Sequence, residues 1–306
     1  YGGSSITDQI RSLREKPQII VGTPGRVIDL IGRKALDFSE IHWLVLDEAD
    51  EMLPMGFKDD LETILNETPS EKQTLLFSAT MSKEVERITK NYLTNPHRIS
   101  VGSINEVKKN IKHEYYVVGY RQKKEALKRL LDANPNQYSI IFCRTRMETQ
   151  EVADFLMQNA YAADALHGDL SQAQRDTVMK KFRLKNIDIL VATDVAARGL
   201  DVNSLTHVIH YSLPDDPEVF VHRSGRTGRA GKDGISMSLI KPEESRKLKQ
   251  IKLSTKIEIV EKKIPTGEEI IKAQVEGVFE KLFTEHEELF TFDDSLIPDL
   301  SAFSKE

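Results

Sequence analysis

The sequence is poor in cysteine and in long apolar runs. Cys143 is the single cysteine among 306 residues, which excludes an internal disulfide framework and a cysteine-rich metal site and is typical of a reducing compartment. No apolar run reaches the ~18 residues of a membrane span, and the opening YGGSSITDQI has neither the charged start nor the apolar middle of a secretion signal. We therefore expect a soluble cytoplasmic protein with no membrane partner.

The chain has a small excess of acidic residues, with a net charge of -5. Residues 267–306 carry 3 Lys and Arg against 11 Asp and Glu, so their local charge is -8 and the first 266 residues sum to +3. A basic groove for phosphates is compatible with this distribution. The length and the 39% hydrophobic content favour two domains.

Short apolar runs that end in polar loops alternate with segments of helical period, which is typical of parallel strands joined by helices. The predicted buried strands of the first half are QIIVGTPG, HWLVLDE and TLLFSAT, and those of the second half are SIIFCRT, AADALHG, IDILVATD, LTHVIHYSLP and GISMSLI. Residues 101–114 lack apolar periodicity and are predicted to be a linker. Capping boxes are expected at Thr145 with Glu148 and at Ser171 with Gln174.

Two adjacent carboxylates, Asp47 and Glu48, follow the apolar run WLVL. An aspartate at a strand end can hold Mg²⁺ through water, and a neighbouring glutamate can orient or deprotonate the water that attacks a γ-phosphate. The alternative is an acidic strand-to-helix turn that complements a helix dipole. The pair alone leaves both interpretations open.

Three arginines recur every three residues in HRSGRTGR, at Arg223, Arg226 and Arg229. A turn or a helix start would aim several guanidinium groups at one anion, and such arginines stabilise the charge of phosphoryl transfer. The alternative is a solvated basic turn.

Five motifs occur in one order and at compatible spacing. They are TPGR at 23–26, DEAD at 47–50, SAT at 78–80, TDVAARGLD at 193–201 and HRSGRTGR at 222–229. Together they resemble the motifs of DEAD-box ATP-dependent RNA helicases, of the bacterial cold-shock type, from Gly2 to about residue 264. The resemblance implies an α/β fold with two RecA-like domains of the P-loop NTPase type, each with a parallel sheet, that close on ATP, Mg²⁺ and single-stranded RNA.

The resemblance also implies boundaries and roles. The expected segments are 1–103 for the C-terminal part of the first domain, 104–112 for a linker, 113–265 for the second domain and 266–306 for an acidic, partly helical extension. The implied catalytic and nucleotide-binding residues are Asp47 on Mg²⁺ through water, Glu48 as the base, Arg226 and Arg229 as arginine fingers, and Asp201 on the ribose. The implied residues of interdomain coupling are Asp50, Ser78, Thr80 and His222.

The RNA-binding positions implied by the resemblance face the RNA backbone. They are Gly2, Gly3, Thr23, Pro24, Gly25, Arg26, Arg144, Thr145, Gly168, Gln172, Arg175, Thr193 and Arg198. Taken without the resemblance, the glycine-bearing loops fit an ordinary turn and helix start equally well. Few aromatic residues are interleaved with these positions, so we expect backbone contacts without strong sequence preference that weaken with salt.

A phosphate-binding loop of the form G-x-x-x-x-G-K-[ST] is absent from the 306 residues. The nearest match, GRAGKDG, has Asp233 after Lys232. By the resemblance the loop lies before Gly2 and Gly3. We therefore expect the first domain to lack its N-terminal part and the 306 residues alone to be inactive.

Other features have plainer expectations. His207 and His210, three apart in a strand, point to opposite faces and are expected to be core or surface histidines, and Cys143 a small buried residue. Helical spacing of Ile271, Val275, Val278 and Leu282 predicts an amphipathic helix from Gly267. KIPTGEEI resembles the region before a dimerisation module, so a homodimer and a helix packed on its own domain are both open.

Three functions compete. The first is an RNA-stimulated ATPase that remodels RNA duplexes or RNA–protein complexes, the second is a non-hydrolysing RNA clamp or assembly scaffold, and the third is a DNA helicase with two such domains. The presence of Asp47, Glu48, Arg226 and Arg229 favours the first, because a clamp does not need to activate water.

Overall fold

The computed structural model describes residues 5–53, 56–100, 110–197, 202, 205–228 and 231–285. The chain divides into two compact units. Unit 1 comprises residues 1–107 with 170–177, and unit 2 comprises residues 108–169 with 178–306. No helix in the described ranges is long and apolar enough to cross a membrane.

Unit 1 is built around a two-stranded parallel sheet. In chain order its elements are α1 (Ile6–Leu13), α2 (Pro24–Gly32), β1 (Trp43–Leu46), α3 (Ala49–Met52), α4 (Lys58–Asn66), β2 (Gln73–Leu76) and α5 (Lys83–Tyr92). Trp43 pairs with Gln73 and Leu46 with Leu76. One face of β1 packs against α3, α4 and α5 through a cluster that includes Leu46, Leu61 and Val85.

The buried-strand prediction fails in part in unit 1. Residues 18–25 are not a strand, and Ile19 and Val21 are 83% and 90% exposed. A strand needs a partner for its backbone groups, and among the described residues the sheet of unit 1 contains β1 and β2 alone. Residues 43–46 and 73–76 do form strands, but Trp43 and Val45 are exposed, so burial on both faces was wrong.

Unit 2 contains a seven-stranded parallel sheet in the order β5-β6-β4-β7-β8-β3-β9. The strands are β3 (Ile111–Val117), β4 (Ser139–Cys143), β5 (Ala163–Leu166), β6 (Ile189–Thr193), β7 (His207–His210), β8 (Gly234–Ile240) and β9 (Ile259–Glu261). The helices that follow β3 along the chain are α6 (Lys123–Asp132), α7 (Arg146–Gln158), α8 (Gln172–Arg183), α9 (Asp194–Ala197), α10 (Pro217–Ser224), α11 (Ser245–Thr255) and α12 (Gly267–Glu285). Residues 172–177, the first half of α8, are grouped with unit 1.

All five strands predicted for the second half are present. Strands β4 and β6 are buried at every residue, as expected of parallel strands covered on both faces. The short strand β9 and the strand β3 were not predicted. Of the expected linker 104–112, residues 104–109 lie outside the described residues, and β3 begins at Ile111.

The predicted C-terminal helix forms as α12. Gly277 of this helix lies against Pro135 of unit 2, where a Cβ added at Gly277 would meet Pro135 Cγ at 2.6 Å. The helix therefore packs on its own domain, as one of the two expectations had it. Ile271, Val275, Val278 and Leu282 remain exposed.

Candidate functional site

Asp47 and Glu48 lie exposed at the carboxyl end of β1. Asp47 Oδ1 accepts a hydrogen bond from the Glu48 N–H at 2.9 Å, which orients the Asp47 carboxylate. Glu48 adopts a left-handed backbone, with φ 51° and ψ 45°, a conformation that costs a non-glycine residue about 1–2 kcal/mol. Glu48 is the N-cap of α3, and within the described part of the chain its carboxylate makes no capping hydrogen bond to that helix. This position is compatible both with a catalytic carboxylate and with an acidic turn that complements the helix dipole.

Asp50 ties this strand end to the loop after β2. Its Oδ2 accepts hydrogen bonds from Thr80 N at 2.7 Å and Thr80 Oγ1 at 2.8 Å, and both residues are buried. Ser78 Oγ donates to the Thr80 carbonyl at 2.6 Å. The three residues expected to couple the nucleotide site to closure in the first domain therefore form one connected group.

The TPGR segment forms the start of α2. Thr23 is the N-cap and Pro24 occupies the first turn, where its missing N–H costs nothing. Thr23 and Gly25 are exposed, while Arg26 Nη1 donates to Gln9 Oε1 of α1 at 2.6 Å.

The order of the strands in unit 2 places a topological switch point at the carboxyl ends of β4 and β7. Strand β4 leads through α7 to β5 on one side, and β7 leads through α10 to β8 on the other. Ligands of open α/β sheets bind at such a switch point. Arg144 and Thr145 lie exposed at this point, and Thr193 ends the neighbouring strand β6.

Three cationic side chains, those of Arg144, Lys247 and Lys123, lie beside the residues that follow β7. Arg144 Nη2 lies 3.7 Å from Asp215 Oδ1, and Lys247 Nζ donates to Asp215 Oδ1 and, at 2.9 Å, to the Leu213 carbonyl. The hydrogen bond from Lys247 lowers the pKa of Asp215. Nearby, burial lowers the pKa of Lys123, whose ammonium lies 4.7 Å from the centre of the Tyr211 ring.

The guanidinium of Arg223 binds groups of unit 2 itself. It is 3% exposed, and its Nε and Nη2 donate to the two carboxylate oxygens of Asp194 at 2.5 and 2.7 Å. Nη1 donates to the Ser212 carbonyl at 2.7 Å. Since α10 ends at Ser224, Arg223 still faces the sheet, whereas Arg226 lies in the turn that follows and is half-buried.

The remaining predicted positions are distributed as follows. Gly168 is exposed after β5, Gln172 Nε2 donates to Asp176 Oδ1 at 2.9 Å in the first turn of α8, Arg175 is half-buried one turn on, and His222 is half-buried on α10. Gly2, Gly3, Arg198, Asp201 and Arg229 lie outside the described residues.

Sequence reasoning gave Glu148 only a capping role, and the structure gives it a second one. Thr145 Oγ1 accepts from Glu148 N at 3.1 Å, as the capping box predicts. The Glu148 carboxylate, however, accepts from Arg144 N at 2.6 Å and from Ser212 Oγ at 2.9 Å. The position of Ser212 two residues beyond β7 was the only sequence signal for this contact.

The histidines that mimic a metal site belong to the core. His207 and His210 are both buried, and His210 Nε2 lies 3.2 Å from Ser224 Oγ and 3.1 Å from Ser236 Oγ. Among the described residues no group of three or more His, Cys, Asp or Glu is placed to hold a metal ion. Cys143 is also buried, which raises the pKa of its thiol.

Comparison with known proteins gives consistent matches. The model of the DEAD/DEAH box helicase family matches residues 1–88, and that of the helicase conserved C-terminal domain matches residues 122–231. The chain is 47% identical over 282 residues to the DEAD-box ATP-dependent RNA helicase CshA of Bacillus cereus, a match that covers 92% of this chain and 54% of CshA. The chain thus spans about half the length of the curated relatives it matches.

Two solved structures extend the comparison. Dbp5 of S. cerevisiae, bound to RNA and ADP BeF3, is 32% identical to this chain, and the two structures match with a TM-score of 0.76. The match covers 84% of this chain and 69% of Dbp5. A DEAD box protein from Methanococcus jannaschii is 45% identical, with a TM-score of 0.50, over 86% of this chain and 70% of that protein. The α/β fold with two RecA-like parts and parallel sheets is therefore confirmed.

Proposed function

The chain belongs to the DEAD/DEAH box helicase family, and on that premise we propose that the whole protein is an ATP-dependent RNA helicase. RNA-stimulated ATP hydrolysis would drive local unwinding of RNA duplexes or remodelling of RNA–protein complexes. The observation that carries this proposal is the exposed Asp47–Glu48 pair, held at a strand end and linked through Asp50 to the loop after β2.

Glu48 is proposed as the base for the attacking water, and Asp47 as the ligand of Mg²⁺ through water. The donor chemistry fits, because Mg²⁺ is bound by one or two carboxylates together with water and substrate phosphates, and the Asp47 carboxylate is exposed and oriented by the Glu48 N–H. When bound, Mg²⁺ would neutralise charge that develops on the phosphates. The left-handed backbone of Glu48 sets the direction in which its side chain leaves the main chain.

Residues of unit 2 are proposed to complete the nucleotide site. Arg226 and Arg229 would stabilise the charge of the transferring phosphoryl group, and Asp201 would contact the ribose. Asp50, Ser78, Thr80 and His222 would link nucleotide binding to closure of the two domains. The hydrogen bonds from Thr80 to Asp50 support this role in unit 1.

The RNA partner is proposed to be held through its backbone. Thr23, Pro24, Gly25 and Arg26 would contribute from the start of α2 with Gly2 and Gly3, and Arg144, Thr145, Gly168, Gln172, Arg175, Thr193 and Arg198 would complete the set. Since phosphate contacts carry no direct sequence information, we propose weak sequence preference and a steep dependence on salt.

The test is Glu48→Gln in the full-length protein. Removal of a general base is expected to lower kcat for ATP by about 10²- to 10⁴-fold, while the affinities for ATP and RNA change little. Glu84→Gln, on an exposed face of α5, is the matched control and is expected to keep full activity.

Three results would count against these assignments. Normal turnover by Glu48→Gln would remove Glu48 as the base. A wild-type protein that binds RNA and never hydrolyses ATP would favour the clamp. The 306 residues contain no G-x-x-x-x-G-K-[ST] sequence, so they are proposed to be inactive when expressed alone, and ATP hydrolysis by this piece would contradict that proposal.

A homodimer through α12 is proposed as the second partner interaction. Ile271, Val275, Val278 and Leu282 follow one another at intervals of four, three and four residues, the a/d spacing of a two-helix seam, and all four are exposed. Val278→Lys is expected to convert dimer to monomer in light scattering. Glu276→Lys, outside the seam and exposed, is the control, and a wild-type monomer at micromolar concentration would refute the dimer.

A further inference from the structure

A chain of polar contacts joins three neighbouring strand ends in unit 2. It consists of Glu148, Ser212, Arg223 and Asp194, and we call these four residues the strand-end relay. Strands β6, β4 and β7 are adjacent in the sheet. Asp194 directly follows β6, Glu148 lies in the first turn of the helix after β4, and Ser212 lies two residues beyond β7.

The first half of the relay connects β4 to β7. Ser212 Oγ donates to both carboxylate oxygens of Glu148 at 2.9 Å, and the Ser212 N–H donates to the Phe142 carbonyl of β4 at 3.2 Å. Glu148 also accepts from Arg144 N at 2.6 Å. Ser212 is 6% exposed, so little water competes for the hydrogen bonds that Ser212 makes. Because Glu148 binds both residues, a shift of the backbone at Arg144 would displace Glu148 and, through it, Ser212.

The second half connects β7 to α10 and β6. The Ser212 carbonyl accepts from Arg223 Nη1 at 2.7 Å, and Asp194 accepts from the other two nitrogens of the same guanidinium. The guanidinium also lies over the Phe142 ring, 5.0 Å from its centre. A planar group fixed on three nitrogens and stacked on one face has a single orientation.

The relay ends at two groups of proposed functional residues. At one end are Arg144 and Thr145, proposed to contact RNA, and Thr145 Oγ1 accepts from Glu148 N. At the other end Arg226 N donates to the Arg223 carbonyl at 3.0 Å. The backbone of Arg226, proposed as an arginine finger, is therefore linked directly to Arg223, the guanidinium member of the relay.

We propose that the strand-end relay positions Arg226 in response to RNA bound at Arg144 and Thr145. Glu148 and Ser212 are then positioning residues for RNA-stimulated ATP hydrolysis, and no direct contact with ATP or RNA is assigned to either of them. This inference rests on the proposed function, since it concerns how that activity is stimulated. The physical basis is a contiguous set of charge-assisted hydrogen bonds, through which a displacement of one side chain shifts the next.

The functional test is Glu148→Gln in the full-length protein. An amide keeps the shape of the carboxylate but cannot accept from Ser212 Oγ and Arg144 N with the same charge. RNA-stimulated kcat is expected to fall about tenfold, while basal kcat and the RNA concentration for half-stimulation change less than about twofold. Glu151→Gln, exposed on the same helix and outside the relay, is the matched control and is expected to behave as wild type.

A double-mutant cycle checks that the two residues act through one contact. Ser212→Ala is expected to lower the stimulated kcat by a similar factor, and the double variant is expected to be no worse than either single variant, because both remove the same interaction. If the fold-loss in stimulated kcat of the double variant equals the product of the two single losses, the relay is refuted. A defect confined to RNA binding would instead raise the half-stimulating RNA concentration and leave the maximal kcat intact.

Amide hydrogen exchange without any ligand separates this inference from the proposed function. In Glu148→Gln the amides from Ser212 and from Arg223 to Thr227 are expected to exchange faster than in Glu151→Gln. Unchanged exchange there overturns the relay even if the helicase activity is confirmed. A wild-type protein without RNA-stimulated hydrolysis refutes the proposed function and with it the role of the relay, whatever the exchange shows.

Discussion

In unit 2, strands β4 and β6 are buried at every residue, whereas in β1 of unit 1 Leu46 alone is buried. All three strands come from short apolar runs of the same kind. Strand β4 lies between β6 and β7, while β1 pairs with β2 alone among the described residues. An apolar run therefore indicates where a strand forms, and the helices that pack above and below the sheet decide how many of its faces are buried.

The polar groups differ in the same way. Unit 1 presents Asp47 and Glu48 to solvent and buries Asp50 against Thr80. Unit 2 buries a whole guanidinium, Arg223, whose partner Asp194 has a side chain that is 43% exposed. We expect the loss of a polar partner to be costly in unit 2 and milder in unit 1, and the following predictions test that comparison.

The largest effect is expected for Asp194→Ala. It leaves the buried guanidinium of Arg223 without its carboxylate, which costs about 3–5 kcal/mol when a buried pair is broken from one side. Arg223→Met should cost less, because the charge that remains is the half-exposed Asp194. Urea unfolding followed by circular dichroism measures both, and a larger loss for Arg223→Met would contradict the account.

A smaller effect is expected for Asp50→Asn in unit 1. The amide retains the shape and its oxygen can still accept from Thr80 N and Thr80 Oγ1, but both hydrogen bonds lose their charged acceptor. Bonds to charged groups contribute about 1.5–3 kcal/mol, so the unfolding free energy should fall by roughly that amount. Asp59→Asn, exposed on α4, is the control, and equal losses in the two variants would show that the Asp50 contact is not stabilising.

Much of unit 2 could be predicted from the sequence, because its strands are uninterrupted apolar runs between turn signals. Strand β3 was missed because Lys112 and Glu114 interrupt the apolar pattern of a strand that buries only part of its surface. The capping box of Ser171 and Gln174 is reciprocal, as predicted. That of Thr145 and Glu148 is only half formed, because the carboxylate turns to Arg144 N and Ser212 instead.

The site was harder to predict than the sheet. The family resemblance, not spacing, grouped Asp50, Ser78 and Thr80, and their hydrogen bonds join the loops after β1 and β2. Spacing did not predict the contact of Arg223 with Asp194, because that contact depends on where α10 ends relative to a residue 29 positions away. Contacts of that kind arise from the packing of distant segments and leave no local pattern.

Low pH is expected to lower the unfolding free energy of unit 2. Burial lowers the pKa of His113 and of His207 from about 6.5 to about 4, so the unfolded chain binds protons more readily than the folded one between these values. Stability should be complete above pH 6.5 and fall as the pH drops toward 4, by about 1 kcal/mol per histidine at pH 5.5. His42 and His97 of unit 1 are exposed, so hydrogen exchange should locate the loss in unit 2.

His113→Phe sharpens the acid prediction. The substituted ring keeps its place beside Phe220, 5.8 Å away, and cannot be protonated. The difference in unfolding free energy between pH 7.5 and pH 5.5 should then shrink by about 1 kcal/mol relative to wild type. An unchanged difference would show that His113 does not contribute to the acid sensitivity.

The smallest effect is expected for Arg87→Ala, which removes a surface ion pair of unit 1. Arg87 Nη2 lies 3.4 Å from Glu62 Oε1, and the two side chains are 46% and 31% exposed. Such pairs contribute about 0.2–1 kcal/mol and are screened by salt, so the cost of Arg87→Ala should vanish near 1 M NaCl. The cost of Asp194→Ala should persist there, because the guanidinium of Arg223 is shielded by protein from the added ions. If salt removed both costs equally, the burial of Arg223 would no longer distinguish the two units.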